Sequence, residues 1–363
     1  MLKILKGFNF FRNYFLNHYA IKYGLFLPKP VQVYWNITDN CNFKCVMCGR
    51  WRNKADINSE VTVEQMKSVI DELAEWGVFK FGITGGEPFT RKSKTLEVAE
   101  YASSKGLWTH IGTNAFLLNI DILKKLKEIG IGHLSISIDG DEQIHDAIRN
   151  QTGSYKKIIE VLEWAKEFGT QIKINTVLTS KNAEHIIKTV ELAIANKYPI
   201  FIQPFNPYDS SILMGQTQKS LAELDGNWIS ESQNQVLSKT IEAIILKKKQ
   251  SPELIINDVA HLKNILSYFQ NPVSIYSKCV TGYKNIQISS AGDVIACWNF
   301  NKPIGNIKTD SLKKIWYSET FCGVRKKMDN CKILCISGCR FYPAPLKLLS
   351  SGNIKLFLKG NRK

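Results

Sequence analysis

The stretch VQVYWNITDNC, residues 31–41, decides the fold. Apolar side chains alternate with other residues along 31–37, and this period of two predicts a β-strand. The turn Asp39–Asn40 follows, so the strand delivers Cys41 at its carboxyl end. In parallel α/β proteins the reactive groups collect at the ends of the strands, because loops there change without disturbing the packed layers. This end of the strand is therefore the first candidate site.

The pattern of strand and helix continues along the chain. Residues 62–76 carry apolar side chains at helical spacing, with Thr62 as a candidate N-cap, and Gly77 ends the segment before the apolar run 78–84. Further strands are predicted at 108–113, 133–139, 171–178 and 200–204, and further helices at 93–105, 120–129, 155–168 and 183–196. Six such rounds need right-handed crossovers and a parallel sheet, but are too few to close an eight-stranded barrel. The predicted fold class is α/β, a partial (β/α)6 TIM-like barrel. Beyond the sixth strand, a helix is predicted over 228–249, and the region 251–278 is ambiguous.

Three cysteines follow the first strand with the spacing C-x3-C-x2-C, at Cys41, Cys45 and Cys48. Three thiolates can bind three irons of a four-iron cluster, which leaves one iron without a protein ligand. An open coordination site distinguishes a catalytic metal centre from a structural one. A structural zinc site is the alternative, but it needs a fourth Cys or His, and the next histidine, His110, lies far downstream.

Four further motifs follow the next strands. They are Gly85-Gly86-Glu87-Pro88, Gly112-Thr113-Asn114-Ala115, Ser135-Ile136-Ser137-Ile138-Asp139-Gly140 and His145-Asp146-x-x-Arg149. Taken singly, the first and third are also explained as tight turns, and Arg149 as a surface ion pair with Asp146. Together with the cysteine spacing, the motifs resemble the radical S-adenosylmethionine (SAM) superfamily over about residues 31–205.

The resemblance implies a [4Fe-4S] cluster on the three cysteines, whose open iron chelates SAM. The implied SAM-binding residues are Gly85, Gly86, Glu87, Asn114, Ser137, Asp139 and Arg149. In this family the GGEP loop receives the SAM amino group. Ser137 and Asp139 are the implied ribose contacts, since the two oxygens of an aspartate can accept both hydroxyls. Arg149 is implied to pair with the SAM carboxylate, and no catalytic side chain is identified.

The other cysteines all lie between 279 and 339. Their spacing begins C-x12-G-x4-C, and the Gly292-Asp293 turn predicts a β-hairpin that brings Cys279 and Cys297 together. The pattern resembles the SPASM and twitch extensions of radical SAM enzymes and implies one auxiliary [4Fe-4S] cluster. Its implied ligands are Cys279, Cys297 and Cys339, with Cys331 or Cys335 as the fourth. A zinc ribbon is the alternative, and Cys322 has no counterpart in the family.

The 363 residues, 44% hydrophobic, suffice for one large core and a smaller unit. The predicted segments are a basic aromatic arm at 1–30, the barrel at 31–250, the cluster-binding extension at 275–340 and a basic tail at 341–363. No run approaches the roughly 18 apolar residues of a membrane span. Clustered thiols suit a reducing compartment, so a cytoplasmic location is expected.

The implied reaction is reductive cleavage of SAM to a 5′-deoxyadenosyl radical, which abstracts hydrogen from the substrate. An electron donor such as flavodoxin or ferredoxin is an expected partner. Oxidation or other modification of a ribosomal peptide is the first substrate hypothesis, although the roughly 30 residues before the first strand are few for a leader-binding domain. Dehydrogenation or rearrangement of a sugar or lipid-linked small molecule is the second. Trp298 stands where peptide-modifying and sulfatase-maturating relatives can carry a proton-accepting carboxylate.

The net charge of +16 is concentrated at the ends, since no acidic residue precedes Asp39 or follows Asp329. Cationic segments with aromatic side chains favour anionic membrane surfaces, so peripheral membrane contact through the termini is expected. Packing of both ends over the barrel as ordinary helices is the alternative.

A third hypothesis is that the chain is a nucleic-acid-binding or electron-carrying protein. It leaves the SAM motifs unexplained, and nucleic acid is therefore not an expected partner.

Overall fold

The computed structural model describes residues 2–23, 29–52, 56–206, 226–270, 279–298, 302–331 and 335–336. The strands are β1 Gln32–Thr38, β2 Lys80–Gly85, β3 Trp108–Thr113, β4 His133–Ser137, β5 Ile172–Leu178, β6 Ile200–Pro204, β7 Asn285–Ile288, β8 Asp293–Ile295 and β9 Gly305–Asn306. The helices are α1 Leu2–Tyr23, α2 Val63–Trp76, α3 Lys92–Ser104, α4 Ile120–Ile129, α5 Glu142–Arg149, α6 Ser154–Phe168, α7 Ile186–Ala195, α8 Asn234–Gln250, α9 Val259–Gln270, α10 Thr281–Lys284, α11 Leu312–Tyr317 and α12 Glu319–Asp329. The predicted α/β class is confirmed.

Strands β1 to β6 lie side by side in chain order and are all parallel. Helices connect them, because a parallel pair needs a long crossover between its strands. Thr62 caps α2 as predicted, with reciprocal hydrogen bonds to Gln65, and Gly77 ends α2 in the left-handed conformation. Since the strands are parallel, their carboxyl ends share one edge of the sheet. The loops after β1 to β4, which carry the predicted motifs, therefore meet there.

The two faces of this sheet differ in chemistry. One face packs against the helices, and Ile83, Ile111 and Leu134 are fully buried there with helix residues such as Leu73 and Leu126. Alternation along each strand places mainly polar and aromatic side chains on the other face, which we call the inner face. It carries Tyr34, Asn36, Lys80, Thr84, Trp108, His110, His133, Ser135, Ser137, Lys173, Asn175 and Phe201.

The predicted hairpin is present as β7 and β8, which pair antiparallel around Gly292 at φ +93°. Strand β7 also pairs with β1 in parallel register, and β9 adds to β8. The hairpin therefore extends the barrel sheet to nine strands in the order β6-β5-β4-β3-β2-β1-β7-β8-β9. The cysteine-rich extension is thus joined to the barrel through the strand that delivers Cys41.

Two regions depart from the sequence-based prediction. A helix was expected over 228–249, but α8 begins only at Asn234, because Ser230 and Gln233 form a capping box in the preceding 3-10 turn Glu231–Gln233. The region 251–278, which the sequence left ambiguous, contains α9. Its side chains Leu262 and Ile265 are fully buried in the core.

Part of the predicted organisation falls outside the described residues, namely Cys339, the tail at 341–363 and residues 24–28 of the arm. Among the helices that the structure describes, none has the length and apolar character needed to cross a membrane.

Candidate functional site

The cysteine loop after β1 is fixed against helix α5. The Val46 amide donates to the Ile148 carbonyl oxygen at 2.9 Å, and the Cys48 amide donates to the Cys45 carbonyl oxygen at 3.1 Å. The Cys41 sulfur accepts a hydrogen bond from the Phe43 amide at 3.4 Å. These hydrogen bonds therefore place the thiols of the loop at the edge of the sheet.

The loop thiols influence one another electrostatically. Burial raises the pKa of Cys41 to about 12, with smaller increases from Cys45 and Cys48. Burial also raises the pKa of Cys45, while the Arg149 guanidinium, 4.0 Å from its sulfur, acts in the opposite direction. Among the described residues no three His, Cys, Asp or Glu side chains converge on a single metal ion. A four-iron cluster would not need such convergence, because it spreads three thiolates over separate irons.

The GGEP loop follows β2 and lies directly against the cysteine loop. The Gly86 amide donates to the Thr38 carbonyl oxygen at 2.8 Å, and the Glu87 amide donates to the Asn40 carbonyl oxygen at 2.7 Å. A Cβ atom on Gly86 would overlap the Asn40 carbonyl oxygen, and Gly85 has φ +147° with no room beside the Thr38 carbonyl oxygen. Both glycines are required for this approach of two backbones.

We expect Gly86→Ala to destabilise the protein by about 1–3 kcal/mol, because the new methyl group must displace the backbone at Asn40. SAM binding should weaken at least about tenfold as the loop moves. Thermal unfolding and SAM titration of the reconstituted protein measure the two effects. Gly323→Ala on α12 is the matched control, because no neighbouring atom lies within 4 Å of the added methyl group. Equal behaviour of the two variants would contradict the close approach.

The Glu87 carboxylate is buried and connects β2 to the end of β3. It accepts hydrogen bonds from the Thr113 hydroxyl at 2.8 Å, the Asn114 amide at 2.7 Å and the Phe89 amide at 3.1 Å. Burial nevertheless raises the pKa of Glu87 to about 7, since removal from water disfavours the charged form more than these three donors favour it. With two oxygens able to accept about four hydrogen bonds, the carboxylate retains capacity for one further donor.

The raised pKa of Glu87 predicts a pH dependence of stability. The protonated group contributes fully below its unfolded-state pKa of about 4.5, and this contribution is lost as pH rises through about 7. Relative to Glu87→Gln, the wild-type free energy of unfolding should therefore fall by up to about 3 kcal/mol between pH 4.5 and 8. Chemical denaturation of both apoproteins across this range measures the difference. A constant difference would show that Glu87 ionises normally in the fold.

Asn114 lies at the end of β3, as predicted, and contacts the cysteine loop. Its side-chain amide donates to the Asn42 side-chain oxygen at 2.8 Å, while its own oxygen accepts from the Phe116 amide at 3.0 Å. The Asn42 amide nitrogen is buried and makes no hydrogen bond within the described residues. Sequence reasoning missed Asn42; its position between two cysteine ligands was the available signal.

The structure brings Asp139 and Arg149 together in a buried ion pair. Oδ2 of Asp139 lies 2.5 Å from Nη2 of Arg149, and Asp139 has no exposed surface. Oδ1 of Asp139 accepts from the Val177 amide at 2.9 Å. Burial alone would lower the pKa of Arg149, but Asp139 and Cys45 together raise it. The carboxylate is thus engaged inside the protein, and the ribose role predicted for Asp139 remains a prediction.

Arg149 retains a donor for a ligand. Its Nε is buried and has no hydrogen-bond partner among the described residues. Ser137, the last residue of β4, is half-buried on the inner face near this pair. Both positions suit the predicted contacts to the SAM carboxylate and ribose, which stay predictions.

The remaining residues of the H-D-x-x-R motif have structural contacts. The His145 Nδ1 accepts from the Asp139 amide at 3.2 Å, and burial lowers the pKa of His145 to about 4. Asp146 accepts hydrogen bonds from the Gly153 amide, the Ser154 hydroxyl and the Tyr155 amide at 2.6–2.8 Å. Asp146 therefore caps α6 and makes no ion pair with Arg149. The motif fixes the geometry around Arg149.

The second cysteine group flanks the hairpin at Cys279 and Cys297 and continues after α12. Cys279 precedes α10 and is buried, and Cys297 follows β8 and is half-buried. Cys335 is buried with its sulfur 3.6 Å from the Asn206 side-chain nitrogen, and Cys331 follows α12. Both remain candidates for the fourth auxiliary ligand. Cys322 is exposed on α12.

The hairpin also contacts the first cysteine loop. The Ser290 hydroxyl donates to Oδ2 of Asp39 at 2.5 Å, and Oδ1 of Asp39 lies 3.8 Å from Nη1 of Arg50. The Arg50 guanidinium lies 4.4 Å from the ring centre of Trp298, the residue after Cys297. Sequence reasoning missed Arg50, because only the folded chain brings Trp298 to it. The two cysteine sites are therefore connected by a few side chains.

These residues fit the cofactors that the motifs imply. Three thiols lie on one loop, and the Arg149 guanidinium lies beside one of them. Buried nitrogen donors on Arg149 and Asn42 have no hydrogen-bond acceptor among the described residues. The glycine pair keeps the neighbouring backbone close to the thiols. A [4Fe-4S] cluster with one open iron, and SAM beside the GGEP loop, match this donor set.

Comparison with known proteins identifies two domains in the chain. Residues 35–193 match the radical SAM superfamily, and residues 279–340 match the SPASM iron–sulfur cluster-binding domain. An AdoMet-dependent heme synthase of Methanosarcina barkeri is 29% identical over 79% of this chain and 82% of its own length. A PqqA peptide cyclase of Bradyrhizobium diazoefficiens is 31% identical, over 46% of this chain and 43% of its own.

The fold also matches a solved structure, Streptococcus suis SuiB bound to its precursor peptide SuiA, with a TM-score of 0.64 at 18% identity. That match covers 85% of this chain and 70% of SuiB. The cofactors implied by the two matched domains are a [4Fe-4S] cluster with SAM and auxiliary iron–sulfur binding. The chain therefore belongs to the radical SAM superfamily, as an enzyme with a C-terminal SPASM domain.

Proposed function

We propose that this enzyme cleaves SAM reductively and uses the resulting radical to modify a ribosomally made peptide. The contact between the cysteine loop and the GGEP loop carries the first half of the proposal, since Glu87 and Asn40 join them at 2.7 Å. When bound, the cluster and SAM supply the 5′-deoxyadenosyl radical that abstracts hydrogen. The protein's part is to bind, orient and exclude water.

Each SAM group has a residue to receive it. The remaining acceptor capacity of Glu87 suits the SAM ammonium group, and the unpaired Nε of Arg149 suits the carboxylate. Ser137 offers a hydroxyl to the ribose from the inner face. Asp139 acts indirectly, because its ion pair fixes the guanidinium of Arg149. These residues would hold SAM beside the cysteine loop, against which the GGEP loop packs.

Similarity to peptide-modifying proteins supports the peptide substrate. PqqA peptide cyclases and a mycofactocin maturase are 30–32% identical over about 46% of this chain. The hairpin strand β7 pairs with β1, so the SPASM domain borders the mouth of the barrel. A peptide bound there would lie near both cysteine sites. Cys279 and Cys297 would help to hold an auxiliary cluster, which would supply an electron acceptor for an oxidation.

Product analysis of the reconstituted enzyme tests this proposal. The enzyme is incubated with SAM and dithionite, with and without candidate peptides encoded near its gene, and 5′-deoxyadenosine and peptide mass are followed. We expect 5′-deoxyadenosine in every arm and a mass change in one peptide. Absence of 5′-deoxyadenosine in all arms would refute SAM cleavage. Cleavage with no modified peptide would favour a small molecule.

A small-molecule substrate is the second candidate, and one observation favours it. The heme synthase match has 29% identity over 79% of this chain, whereas a peptide cyclase match of similar extent, 85% of this chain, has only 24% identity. Dehydrogenation or rearrangement of a sugar or lipid-linked molecule belongs to this class. Incubation with extracts of small molecules in place of peptides, with the same two readouts, separates the candidates.

Peripheral membrane contact is part of this second candidate. Helix α1 exposes Phe15, Tyr19 and Tyr23, and Lys22 lies 5.2 Å from the Tyr23 ring. Aromatic and basic side chains on one helix favour anionic lipid surfaces. Flotation with phosphatidylserine vesicles should recover intact protein and lose a Phe15→Ser, Tyr19→Ser, Tyr23→Ser variant. Equal recovery would refute membrane contact by this helix.

Reduction of the cluster needs an external electron donor. A flavodoxin or ferredoxin is the proposed partner, since the basic surface complements acidic carriers. Replacing dithionite with reduced flavodoxin in the SAM assay tests it directly. Failure of several such carriers to support turnover would exclude this class of donor.

A further inference from the structure

Four basic side chains converge on the inner face, away from the SAM-binding edge. Lys80 is the first residue of β2, His133 the first of β4, Lys173 the second of β5, and His110 the third of β3. We call these four residues the basic cluster. They lie toward the amino ends of the strands, whereas the cysteine and GGEP loops lie at the carboxyl ends. None of the four belongs to the predicted SAM contacts or to the predicted iron–sulfur ligands.

Contacts in the structure show that the four side chains lie close to one another. The rings of His110 and His133 stack with centres 5.0 Å apart. Both lysines lower the pKa of each histidine, after the larger effect of burial. Lys80 and Lys173 lie over aromatic rings, with Nζ 5.1 Å from Trp108 and 5.3 Å from Phe201. Strands β2 and β5 are separated by two others, so the sheet curves around this space.

The basic cluster lacks acidic neighbours on its own strands. None of β1 to β7 contains Asp or Glu. Among the described residues, the charged group that influences Lys173 is another cation, Lys80. Burial lowers the pKa of Lys173 to about 8, which still leaves it mostly charged at neutral pH. A buried cation without a counter-charge is costly, so an anion in this space would stabilise it.

Two further observations indicate a ligand site. His133 is 5% exposed, yet its Nδ1 has no hydrogen-bond partner within the described residues, and the same holds for Nδ1 of His110. Lys80, Lys173 and His110 are half-buried on the same face, so their side chains are not fully enclosed by the protein.

Gly82 maintains the room for this arrangement. A Cβ atom on Gly82 would lie 2.7 Å from the His110 ring and 2.7 Å from Tyr34, so any side chain there would displace the imidazole. From Lys173 to Val177 the strand rises by about 13 Å. Val177 contacts Asp139, next to the Arg149 donor. An anion at the basic cluster would thus lie on the order of 10 Å from the SAM site.

We propose that the basic cluster binds an acidic group of the substrate, a carboxylate or a phosphate, and that the substrate extends along the inner face from there to the SAM site. The second part, the path of the substrate to the SAM site, rests on the proposed function. Lys173 supplies the charge, and the histidines supply ring nitrogens as hydrogen-bond donors. A neutral substrate would supply no counter-charge to Lys173.

Anion titration of the full-length reconstituted enzyme tests the site. Inorganic phosphate, glutarate and the uncharged glutaramide are added at constant ionic strength, and binding is followed by calorimetry and by the shift in melting temperature. We expect saturable binding of phosphate or glutarate and none of glutaramide. Phosphate alone would identify a phosphate ester as the ligand group, and glutarate alone a carboxylate. Absence of saturable binding by either anion would overturn the proposal.

Matched variants locate the binding. Lys173→Met and His133→Phe should each weaken anion binding at least about tenfold. Lys125→Met, which removes an equal charge from the surface pair with Glu100, should leave it unchanged. Equal weakening by Lys125→Met would show general charge attraction and refute the site. If Lys173→Met does not fold, Lys173→Gln takes its place. The titration needs neither SAM nor a reductant, so its failure is distinct from a failure of SAM cleavage.

Discussion

The Cys45→Ala enzyme should form no detectable 5′-deoxyadenosine, a loss of more than about 100-fold, while it retains the auxiliary cluster. Cys45 is the buried member of the first trio, and its sulfur lies 4.0 Å from the Arg149 guanidinium. Its removal takes away one of three iron ligands, and no other cysteine on this loop can replace it. The assay is anaerobic reconstitution followed by SAM, dithionite and product chromatography.

Iron content and electron paramagnetic resonance separate this loss from unfolding. The variant should lose the signal that responds to SAM and retain the other. Cys322→Ser is the control, because Cys322 is exposed on α12 and belongs to neither predicted ligand set. It should match wild type in iron content and product. Normal product formation by Cys45→Ala would remove the basis for the proposed function.

We expect Arg149→Met to lower the free energy of unfolding by about 3–5 kcal/mol. The substitution leaves the Asp139 carboxylate buried without its partner at 2.5 Å, and Asp139 has no exposed surface on which water could replace the guanidinium. At about 2–4 °C per kcal/mol, the melting temperature should fall by roughly 10 °C. Thermal and chemical denaturation of the apoprotein measure the change.

The double variant Asp139→Asn, Arg149→Met is the matched comparison. Its neutral amide removes the unpaired charge, while the side-chain oxygen can still accept from the Val177 amide. Stability should recover by more than half of the loss in Arg149→Met, although SAM binding should stay weak in both. If the double variant is as unstable as Arg149→Met, the unpaired Asp139 carboxylate is not the cause of the destabilisation.

Local patterns in the sequence predicted much of the fold. Strand bounds 108–113 and 200–204 and helix bounds 120–129 match β3, β6 and α4. The turn at Gly292 is also predicted correctly, since its positive φ suits glycine. Boundaries failed where a local hydrogen bond competed with helix propensity, as at Ser230 before α8. Hydrophobic periodicity indicates which residues of a helix or strand face the core. A side chain that caps a turn through a local hydrogen bond does not follow that period.

The sequence predicted which residues form the candidate site, but not the hydrogen bonds and ion pairs between them. The sequence placed Asp139 and Arg149 on the same edge, and their mutual ion pair emerged only in the structure. Asp146 was a candidate partner for Arg149, but it caps α6 instead. Contacts of this kind depend on side-chain distances of a few ångströms, which neither motif spacing nor strand order specifies.

What the sequence by itself determined is the chemistry: the cysteine spacing, the GGEP loop and the parallel alternation of strands identify the family and the edge on which it acts. Only the tertiary structure decided that β7 pairs with β1, that Trp298 reaches Arg50, and that the basic residues of four strands meet. The reason is physical. Backbone periodicity is local and is written in neighbouring residues, whereas pairings between distant segments follow from the packing of the whole chain.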